Sequence, residues 1–274
     1  MSEAKQVVVF GGLDNIRSGH LRFLEEASGL GAVTVLVWPD NLIQQVTGTS
    51  PIFPLLERVY FLNAVRYVNR VIQLDAWDQT DSLSEIPRLH PEIWADVESW
   101  ANPAREKFCS EHKISYRVFK TDELKGFPEP LPTSSTPDKR KVMVSGSYDW
   151  LHSGHIRFLE EASSYGDLYV VVGHDANIRL LKGAGHPLLP EAERRYMIGA
   201  IKYVKQALIS TGDGWLDADP AIRWLKPDIY AVNEDGDKGG KREYCQKLGI
   251  EYLVLKRAPA PGLPKRSSTV LRGF

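Results

Sequence analysis

Residues 148–163 read YDWLHSGHIRFLEEAS, and residues 13–28 read LDNIRSGHLRFLEEAS. The two stretches are closely similar, but the second has His152 where the first has Arg17. A segment that recurs at this distance indicates an internal duplication, and a duplication decides how the rest of the chain is divided.

The repeat extends through nearly the whole chain. Arg17 and His152 are 135 residues apart, and after one inserted residue near Ala176 the separation becomes 136 residues. At that spacing residues 50–72 align with 186–208, and residues 90–120 align with 226–256. We therefore predict two domains, 1–137 and 138–274, each of ordinary domain size and joined by a Pro-rich stretch.

The composition is that of a globular protein. The 274 residues are 43% hydrophobic and 25% charged, with a formal net charge of -1, which gives no sign of a nucleic-acid or membrane surface. The first residues lack the apolar core of a signal peptide, and no apolar run approaches membrane-spanning length. Two cysteines do not suggest a disulfide framework, so we expect a cytoplasmic protein. Cys109 and Cys245 share one repeat position, which favours packing over thiol chemistry.

Strand and helix signals alternate in the second half. Residues 141–145, 168–173, 228–233 and 251–256 read as strands, and a helix is predicted over Glu191–Val204. Alternation of this kind predicts an α/β fold with two tandem Rossmann-like domains, each built on a parallel sheet. Ligands of such sheets bind beyond the carboxyl ends of the strands, so the chemistry is expected at that edge.

The pair His152 and His155 stands where the first strand's loop turns into a helix. Backbone N–H groups at a helix start are unpaired, and the helix dipole is positive there, so anions bind. Two imidazoles at that point suit a triphosphate whose charge grows as pyrophosphate leaves. By itself the H-x-G-H motif is also compatible with polar residues that only cap a helix.

Further motifs follow in a fixed order. They are SGSYDWLHSGH (145–155), LLKG (180–183), PEAERRYMIGAIKYV (190–204) and RSST (266–269). In this order and spacing they resemble the cytidylyltransferase-like nucleotidyltransferases, which include glycerol-phosphate, choline-phosphate and ethanolamine-phosphate cytidylyltransferases and enzymes that adenylylate heptose phosphate. The resemblance covers nearly all of 140–274. The tandem form is similar to ethanolamine-phosphate cytidylyltransferase, except that here the intact copy comes second.

The resemblance implies roles for particular residues. His152, His155 and Lys182 would be catalytic, with Lys182 and Asp175 also binding the substrate. Arg194 and the hydroxyl-rich end would hold the triphosphate. The implied nucleotide-binding positions are Gly146, Ser147, Tyr148, Asp149, Gly154, Arg194, Asn233, Asp235, Arg266, Ser267, Ser268 and Thr269. The family's G-D-D-W segment is NEDGD here, and whether Arg257 or Arg266 replaces the family's arginine stays open.

Other nucleotide and metal sites find no support in the sequence. Walker A, G-x-S-x-G and dinucleotide-binding G-x-G-x-x-G motifs are absent. His152 and His155 have no third nitrogen or sulfur ligand nearby, so a zinc site is not predicted. Mg²⁺ is expected on the triphosphate, and no protein metal ligand is predicted.

The first half keeps the fold pattern and loses the implied catalytic set. It retains Asp14, His20, Asp40, Arg58 and the SST of 134–136. It replaces His152 by Arg17, His174 by Pro39, Lys182 by Val46, Asp235 by Ser99, Asp237 by Ala101 and Arg266 by Thr133. We predict a degenerate, inactive copy that serves as a built-in partner, making the chain a pseudo-dimer; a homodimer of chains is left open.

The expected function is transfer of a nucleoside monophosphate from a nucleoside triphosphate to a phosphorylated small alcohol or sugar, with release of pyrophosphate. CTP is favoured as the donor through the resemblance. ATP is the main alternative, because residues 179–200 look equally like heptose-phosphate adenylyltransferases. A non-catalytic nucleotide-binding regulator is the alternative of a different class. No nucleic-acid or membrane partner is expected, and the sequence does not reveal the acceptor.

Overall fold

The computed structural model describes residues 4–74, 86–129 and 138–271. The chain divides into two compact units, Met1–Gly126 and Phe127–Phe274. Phe127 belongs to the second unit because its ring lies 5.7 Å from the ring of Tyr196. Glu129 likewise bonds the Arg195 guanidinium at 2.9 Å. The predicted boundary at 137/138 adjoins residues 130–137, which lie outside the described residues, and it stays a prediction.

The first unit alternates strands and helices. Its strands are β1 (Gln6–Gly11), β2 (Ala32–Val37), β3 (Arg70–Gln73), β4 (Ile93–Val97) and β5 (Ser115–Phe119). Its α-helices are α1 (Ser18–Ser28), α2 (Asp40–Thr47), α3 (Leu55–Asn63), α4 (Ile86–Leu89) and α5 (Pro103–Glu111). A 3-10 turn over Thr121–Leu124 follows β5.

The second unit repeats that order. Its strands are β6 (Lys141–Gly146), β7 (Asp167–Val172), β8 (Val204–Ile209), β9 (Ile229–Asn233) and β10 (Glu251–Leu255). Its α-helices are α6 (Ser153–Ser163), α7 (Asp175–Lys182), α8 (Glu191–Gly199), α9 (Asp219–Leu225), α10 (Lys241–Lys247) and α11 (Ser268–Leu271). Short 3-10 turns cover Gly214–Leu216 and Glu234–Gly236.

Each unit contains one five-stranded sheet with all observed pairs parallel. The strand orders are β3-β2-β1-β4-β5 and β8-β7-β6-β9-β10, which confirms the predicted tandem α/β fold. The order reverses between β6 and β9, whose pairing is confined to Val142–Ile229 and Met143–Tyr230. Beyond these pairs a crevice opens at the carboxyl edge, where doubly wound sheets bind ligands.

One predicted helix is shorter than expected. Residues 191–204 were predicted to be one helix, but α8 ends at Gly199 and β8 starts at Val204. Glycine weakens a helix interior, and the β-branched Val204 pairs with Leu168 of β7. The chain therefore turns after Gly199, and β8 is a fifth strand that the sequence analysis had not predicted.

The sheets are covered on both faces by apolar helix faces. In the second unit, Ile222 and Leu225 of α9 and Cys245 of α10 pack with Met143 and Tyr230. Cys109 occupies the matching place in the first core. Both thiols are free and buried, and burial raises the pKa of Cys109 to about 11. Within the described residues, no helix is both long enough and apolar enough to span a membrane.

Candidate active site

The second-unit crevice is bordered by the first turn of α6. His152 is the N-cap of this helix, and its Nδ1 accepts a hydrogen bond from the backbone N–H of Gly154 at 3.1 Å. A Cβ atom at Gly154 would lie 3.0 Å from Cε1 of His152. The glycine therefore lets the imidazole fold back over the helix start, which fixes the direction in which Nε2 points.

Three rings that carry buried polar atoms pack together at this helix start. Nε2 of His152, Nδ1 of His155 and the hydroxyl of Tyr148 have no hydrogen-bond partner among the described residues. The two imidazole centroids are 4.0 Å apart, and the Tyr148 ring lies 5.5 Å from that of His155. Leaving a buried polar atom unpaired costs about 1–3 kcal/mol, so a cluster of three indicates a place built for a ligand.

Both histidines are neutral at pH 7. Burial first, and then the nearby charges of Arg257 and Arg266, lower the pKa of His152 to about 4. Burial, followed by His152, Arg257 and Lys182, holds the pKa of His155 well below its usual value. Because Nδ1 of His152 accepts a hydrogen bond, its proton lies on Nε2. That N–H is a buried donor without a hydrogen-bond partner among the described residues.

Cations surround the histidine pair. Nζ of Lys182 donates to the Ser147 hydroxyl at 2.7 Å, across the turn that follows β6. Arg257 donates from Nη2 to the carbonyl of Arg266 at 3.1 Å and forms an ion pair with Asp235. The sequence left open whether Arg257 or Arg266 serves this site, and the structure brings both beside His152.

A shallow cleft extends from the start of α6 to the ends of β9 and β10. Its walls combine apolar surface with several positive charges. The lining residues are Gly154, Phe158, Glu161, Asn233, Lys256, Arg257, Ala258, Pro259, Lys265 and Arg266. A crevice with this charge balance suits an anionic, partly planar ligand such as a nucleotide.

Arg194, predicted to hold the triphosphate, is instead part of the framework. Its side chain is fully buried, with 0% exposure. Nε donates to the carbonyl of Leu189 at 2.8 Å, Nη1 donates to that of Ser147 at 2.7 Å, and Nη2 donates to Asp175 at 2.6 Å. These three hydrogen bonds give Arg194 a role in the fold, and the triphosphate contact that the sequence suggested stays a prediction.

Two carboxylates that were predicted to contact ligands also have partners within the protein. Asp175, expected to bind substrate, pairs with Arg194. Asp149, expected to bind nucleotide, is buried and accepts hydrogen bonds from the backbone N–H groups of Leu188 and Leu189 at 2.6 and 3.1 Å. The Asp149 carboxylate thus holds the loop before α8 against the β6–α6 turn.

The first unit contains the same framework. Arg58 donates to Phe53, Gly12 and Asp40 at 3.0, 2.7 and 2.6 Å. Asp14 accepts from the backbone N–H groups of Ile52 and Phe53 at 2.7 and 2.9 Å. The copy that lost the implied catalytic set thus keeps these contacts, which supports a role for them in the fold.

The remaining predicted positions lie around the crevice. Gly146 ends β6, and a Cβ there would meet the Tyr148 ring at 3.1 Å, so the glycine allows that ring to pack closely. Ser267 accepts a backbone hydrogen bond from Leu271, and the Ser268 hydroxyl donates to the carbonyl of Trp150 at 3.2 Å. The Thr269 side chain lies outside the described residues. The triphosphate role of this segment stays a prediction.

The first-unit crevice differs at the helix start. Nδ1 of the retained His20 accepts from the backbone N–H of Arg17 at 3.1 Å, so this histidine serves as a cap. The Trp100 ring approaches within 3.1 Å of a Cβ built at Gly11. It also lies 6.3 Å from the His20 ring and 6.1 Å from Phe23. A side chain of the unit itself therefore lies at its crevice.

Comparisons with known proteins agree with this architecture. The family model described as cytidylyltransferase-like matches residues 8–142 and 143–272. The chain is 36% identical over 120 residues to the FAD synthase of Ferroglobus placidus, covering 43% of this chain and 75% of that protein. It is 33% identical over 135 residues to the FAD synthase of Methanocella paludicola, covering 48% and 93%. It is 32% identical over 144 residues to the bifunctional protein HldE of Desulfatibacillum aliphaticivorans, covering 52% and 27%.

Proposed function

Because the chain belongs to the cytidylyltransferase-like family and is a nucleotidyltransferase, we propose that its second unit transfers a nucleoside monophosphate to a phosphomonoester and releases pyrophosphate. One observation carries the assignment to this unit. Buried, unpartnered atoms of His152, His155 and Tyr148 meet at the start of α6. The equivalent His20 of the first unit is bonded within its own helix start instead.

The triphosphate is proposed to bind at the start of α6. The Nε2–H of His152 is a donor of the kind that phosphate oxygens accept, and the positive end of the α6 dipole favours an anion there. Arg257 and Arg266 supply positive charge beside His152. Neutral imidazoles suit this place, since they donate hydrogen bonds without requiring that a charge be buried beforehand.

The reaction needs no nucleophile from the protein. An oxygen of the acceptor phosphate attacks the α-phosphorus in line, a new P–O bond forms, and the bond from the α-phosphorus to the bridging oxygen breaks. The electron pair leaves with pyrophosphate. Lys182, on the far side of the Ser147 turn, is proposed to neutralise the two phosphates that approach each other. His152 and His155 are proposed to stabilise the charge that grows on the leaving group.

Mg²⁺ is proposed to enter with the triphosphate and to offset part of its charge when bound. Among the described residues, no group of three or more His, Cys, Asp and Glu side chains could hold a metal ion. The protein's part in the proposal comes from its own cations, Lys182, Arg257 and Arg266.

ATP is proposed as the donor, in place of the CTP that the sequence favoured. The relatives carry the names FAD synthase and HldE, and FAD is an adenylyl ester of a flavin phosphate. A protein that makes FAD joins AMP to a phosphomonoester, which is the bond change proposed above. Flavin mononucleotide is therefore the first acceptor to examine, with heptose phosphate and glycerol phosphate as the next.

Pyrophosphate release tests the proposal. The full chain is incubated with Mg²⁺, with ATP, CTP, GTP or UTP, and with each of the three acceptors. We expect release with ATP and one acceptor, and loss of release in Lys182→Met. Nucleotide binding without release for any pair would overturn the proposal and favour a regulator.

A further inference from the structure

The loop between α7 and α8 contains a histidine that lies outside the motifs. His186 follows Lys182 by four residues, between the LLKG and PEAERR segments, and Ser50 is its counterpart in the first unit. Its Nδ1 lies 3.7 Å from Oδ2 of the buried Asp149 carboxylate. A carboxylate at this distance attracts a ring N–H whether the imidazole is neutral or protonated. His186 therefore adds a side-chain interaction to the contacts that Asp149 makes with this loop.

The carboxylate of Asp149 is used differently from that of its counterpart in the first unit. There, one oxygen of Asp14 accepts from the backbone N–H of Ile52 and the other from that of Phe53, at 2.7 and 2.9 Å. In the second unit the two equivalent N–H groups both donate to Oδ1 of Asp149. Oδ2 is the oxygen that lies next to His186. The second unit thus presents one aspartate oxygen to a histidine that the first unit replaces by serine.

The segment between Lys182 and His186 is rich in glycine and loosely packed. Gly183 and Gly185 have φ angles of 86° and 81°, in the left-handed region that glycine adopts without strain. A Cβ atom at either glycine would have no neighbouring atom within 4 Å. Side-chain packing therefore does not fix the backbone that directly follows the lysine.

The first unit holds the matching segment with threonine hydroxyls. Thr47 and Thr49 stand at the positions of the two glycines. The Thr47 hydroxyl donates to the carbonyl of Ile43 at 2.9 Å and accepts from the backbone N–H of Thr49 at 3.3 Å. The unit that has Val46 in place of the lysine thus fixes this segment locally. The unit that has Lys182 combines two glycines with a histidine instead.

The loop is attached at two points to one turn. Nζ of Lys182 donates to the Ser147 hydroxyl at 2.7 Å, and Ser147 and Asp149 both lie in the β6–α6 turn. An interaction of His186 with Asp149 shortens the stretch between these attachments to residues 183–185. Ordering a loop costs conformational entropy, and the cost rises with the number of residues that are free. A loop that is held at His186 therefore has less freedom to carry the lysine away from the turn.

We propose that His186 is a positioning residue of the transfer reaction, which holds this loop against Asp149 and thereby keeps the Lys182 ammonium at the Ser147 turn. The inference rests on the proposed function, in which Lys182 neutralises the two reacting phosphates, and it adds a residue that acts through that lysine. His186 needs no contact with either substrate. Its removal should therefore change the rate of transfer and not the binding of the nucleotide.

The test compares three variants of the full chain. His186→Ser introduces the first unit's residue, and His186→Asn retains an amide N–H that can replace Nδ1 as the donor toward Asp149. His112→Ser, at an exposed histidine that follows α5, is the control. Pyrophosphate release with the donor and acceptor that give turnover yields kcat and KM. Titration with a non-hydrolysable ATP analogue yields the binding constant, and hydrogen exchange with mass spectrometry follows the loop in the free protein.

We expect His186→Ser to lower kcat about tenfold with ATP binding unchanged, because the ammonium is less often at the place where the phosphates meet. Amide exchange should become faster over residues 183–186 and stay unchanged in α6. His186→Asn should recover most of kcat, and His112→Ser should behave like the unmodified chain.

Three results would overturn this inference and leave the proposed function standing. They are an unchanged kcat in His186→Ser, a fall in kcat that is matched by an equal loss of ATP affinity, and unchanged exchange in the loop. Absence of turnover in the unmodified chain with every donor and acceptor would instead remove the proposed function, and this inference with it.

Discussion

The two units hold an equivalent arginine in the same set of hydrogen bonds and differ at the start of α1 and α6. Arg58 and Arg194 each bond two carbonyls and one aspartate, with distances between 2.6 and 3.0 Å. At the neighbouring helix start, His152 is replaced by Arg17, and the retained histidine becomes a cap. Contacts shared by both units are explained by the fold, and contacts found only in the second unit are candidates for ligand binding.

That comparison separates residues which one motif places together. The P-E-A-E-R-R segment and the H-x-G-H segment point to one nucleotide site when they are considered only as sequence. In the structure, Arg194 belongs to the shared framework, whereas Lys182 has an exposed Val46 as its counterpart. Arg257 has Thr121 as its counterpart in the alignment of the two halves. Lys182, Arg257 and Arg266 are thus cations of the proposed active unit that the first unit lacks.

The largest difference in kcat is expected between two single variants, one at the start of α6 and one at the start of α1. His152→Ala removes the buried Nε2–H donor, and we expect kcat to fall about 100- to 1,000-fold, as for the loss of one preorganised donor. Arg17→Ala should leave kcat within about twofold, since no reaction is assigned to the first unit. Steady-state pyrophosphate release measures both. An equal loss in Arg17→Ala would show that the first unit takes part in turnover.

Paired substitutions of the equivalent arginines should affect folding. Arg58→Met and Arg194→Met each leave two carbonyls and a carboxylate without their donor, so we expect each to lower the free energy of unfolding by about 3 kcal/mol. Urea unfolding of the full chain, followed by circular dichroism, measures the change. If Arg58→Met were harmless and Arg194→Met reduced only triphosphate binding, Arg194 would have the ligand role that the sequence suggested.

The histidines predict how stability depends on pH. The folded pKa of His152 is about 4, below the usual 6.5, so the unfolded chain takes up a proton first as the pH falls between these values. Stability that is full above pH 6.5 should therefore decline toward pH 4, by about 3 kcal/mol for His152 alone. His155 and His20, whose pKa values are also lowered, act in the same direction.

Urea unfolding between pH 4 and 8 measures this decline, and His152→Gln should reduce it. The profile of kcat/KM should show no fall near pH 6.5, because that constant reports the free protein, in which His152 is already neutral. An acid limb near pH 6.5 that disappears in His152→Gln would contradict the assigned protonation state.

The smallest effect is expected at the paired cysteines. Cys109→Ala and Cys245→Ala should leave kcat unchanged and lower stability by about 1 kcal/mol each, since both thiols are small buried groups. Burial raises the pKa of both thiols, which disfavours the reactive thiolate. Thermal unfolding and a maleimide reaction of the folded chain check the two statements. Rapid modification of Cys245 together with lost turnover would place it near the site.

The internal repeat predicted the fold, because each strand and helix pattern of one half could be compared with its counterpart in the other half. The resemblance, rather than periodicity, pointed to His152 and Lys182, and the structure places the Lys182 ammonium on Ser147, in the turn that leads to His152. It did not predict the direction of the Arg194 guanidinium, which depends on carbonyls of residues 147 and 189 that no motif identifies. Nor did spacing indicate that Trp100 would lie on Gly11, because that contact joins distant loops.

Trp100 has a consequence for how each unit responds to its surroundings. A protein that binds a ligand only when folded gains stability as the ligand concentration rises. The second unit, whose crevice holds unpaired donors, should melt at a higher temperature as nucleotide accumulates. The first unit has an indole against the residues equivalent to Gly146, His155 and Phe158, so its melting temperature should be indifferent to metabolite supply. Within one polypeptide, rising nucleotide concentration would stabilise one unit and leave the stability of the other unchanged.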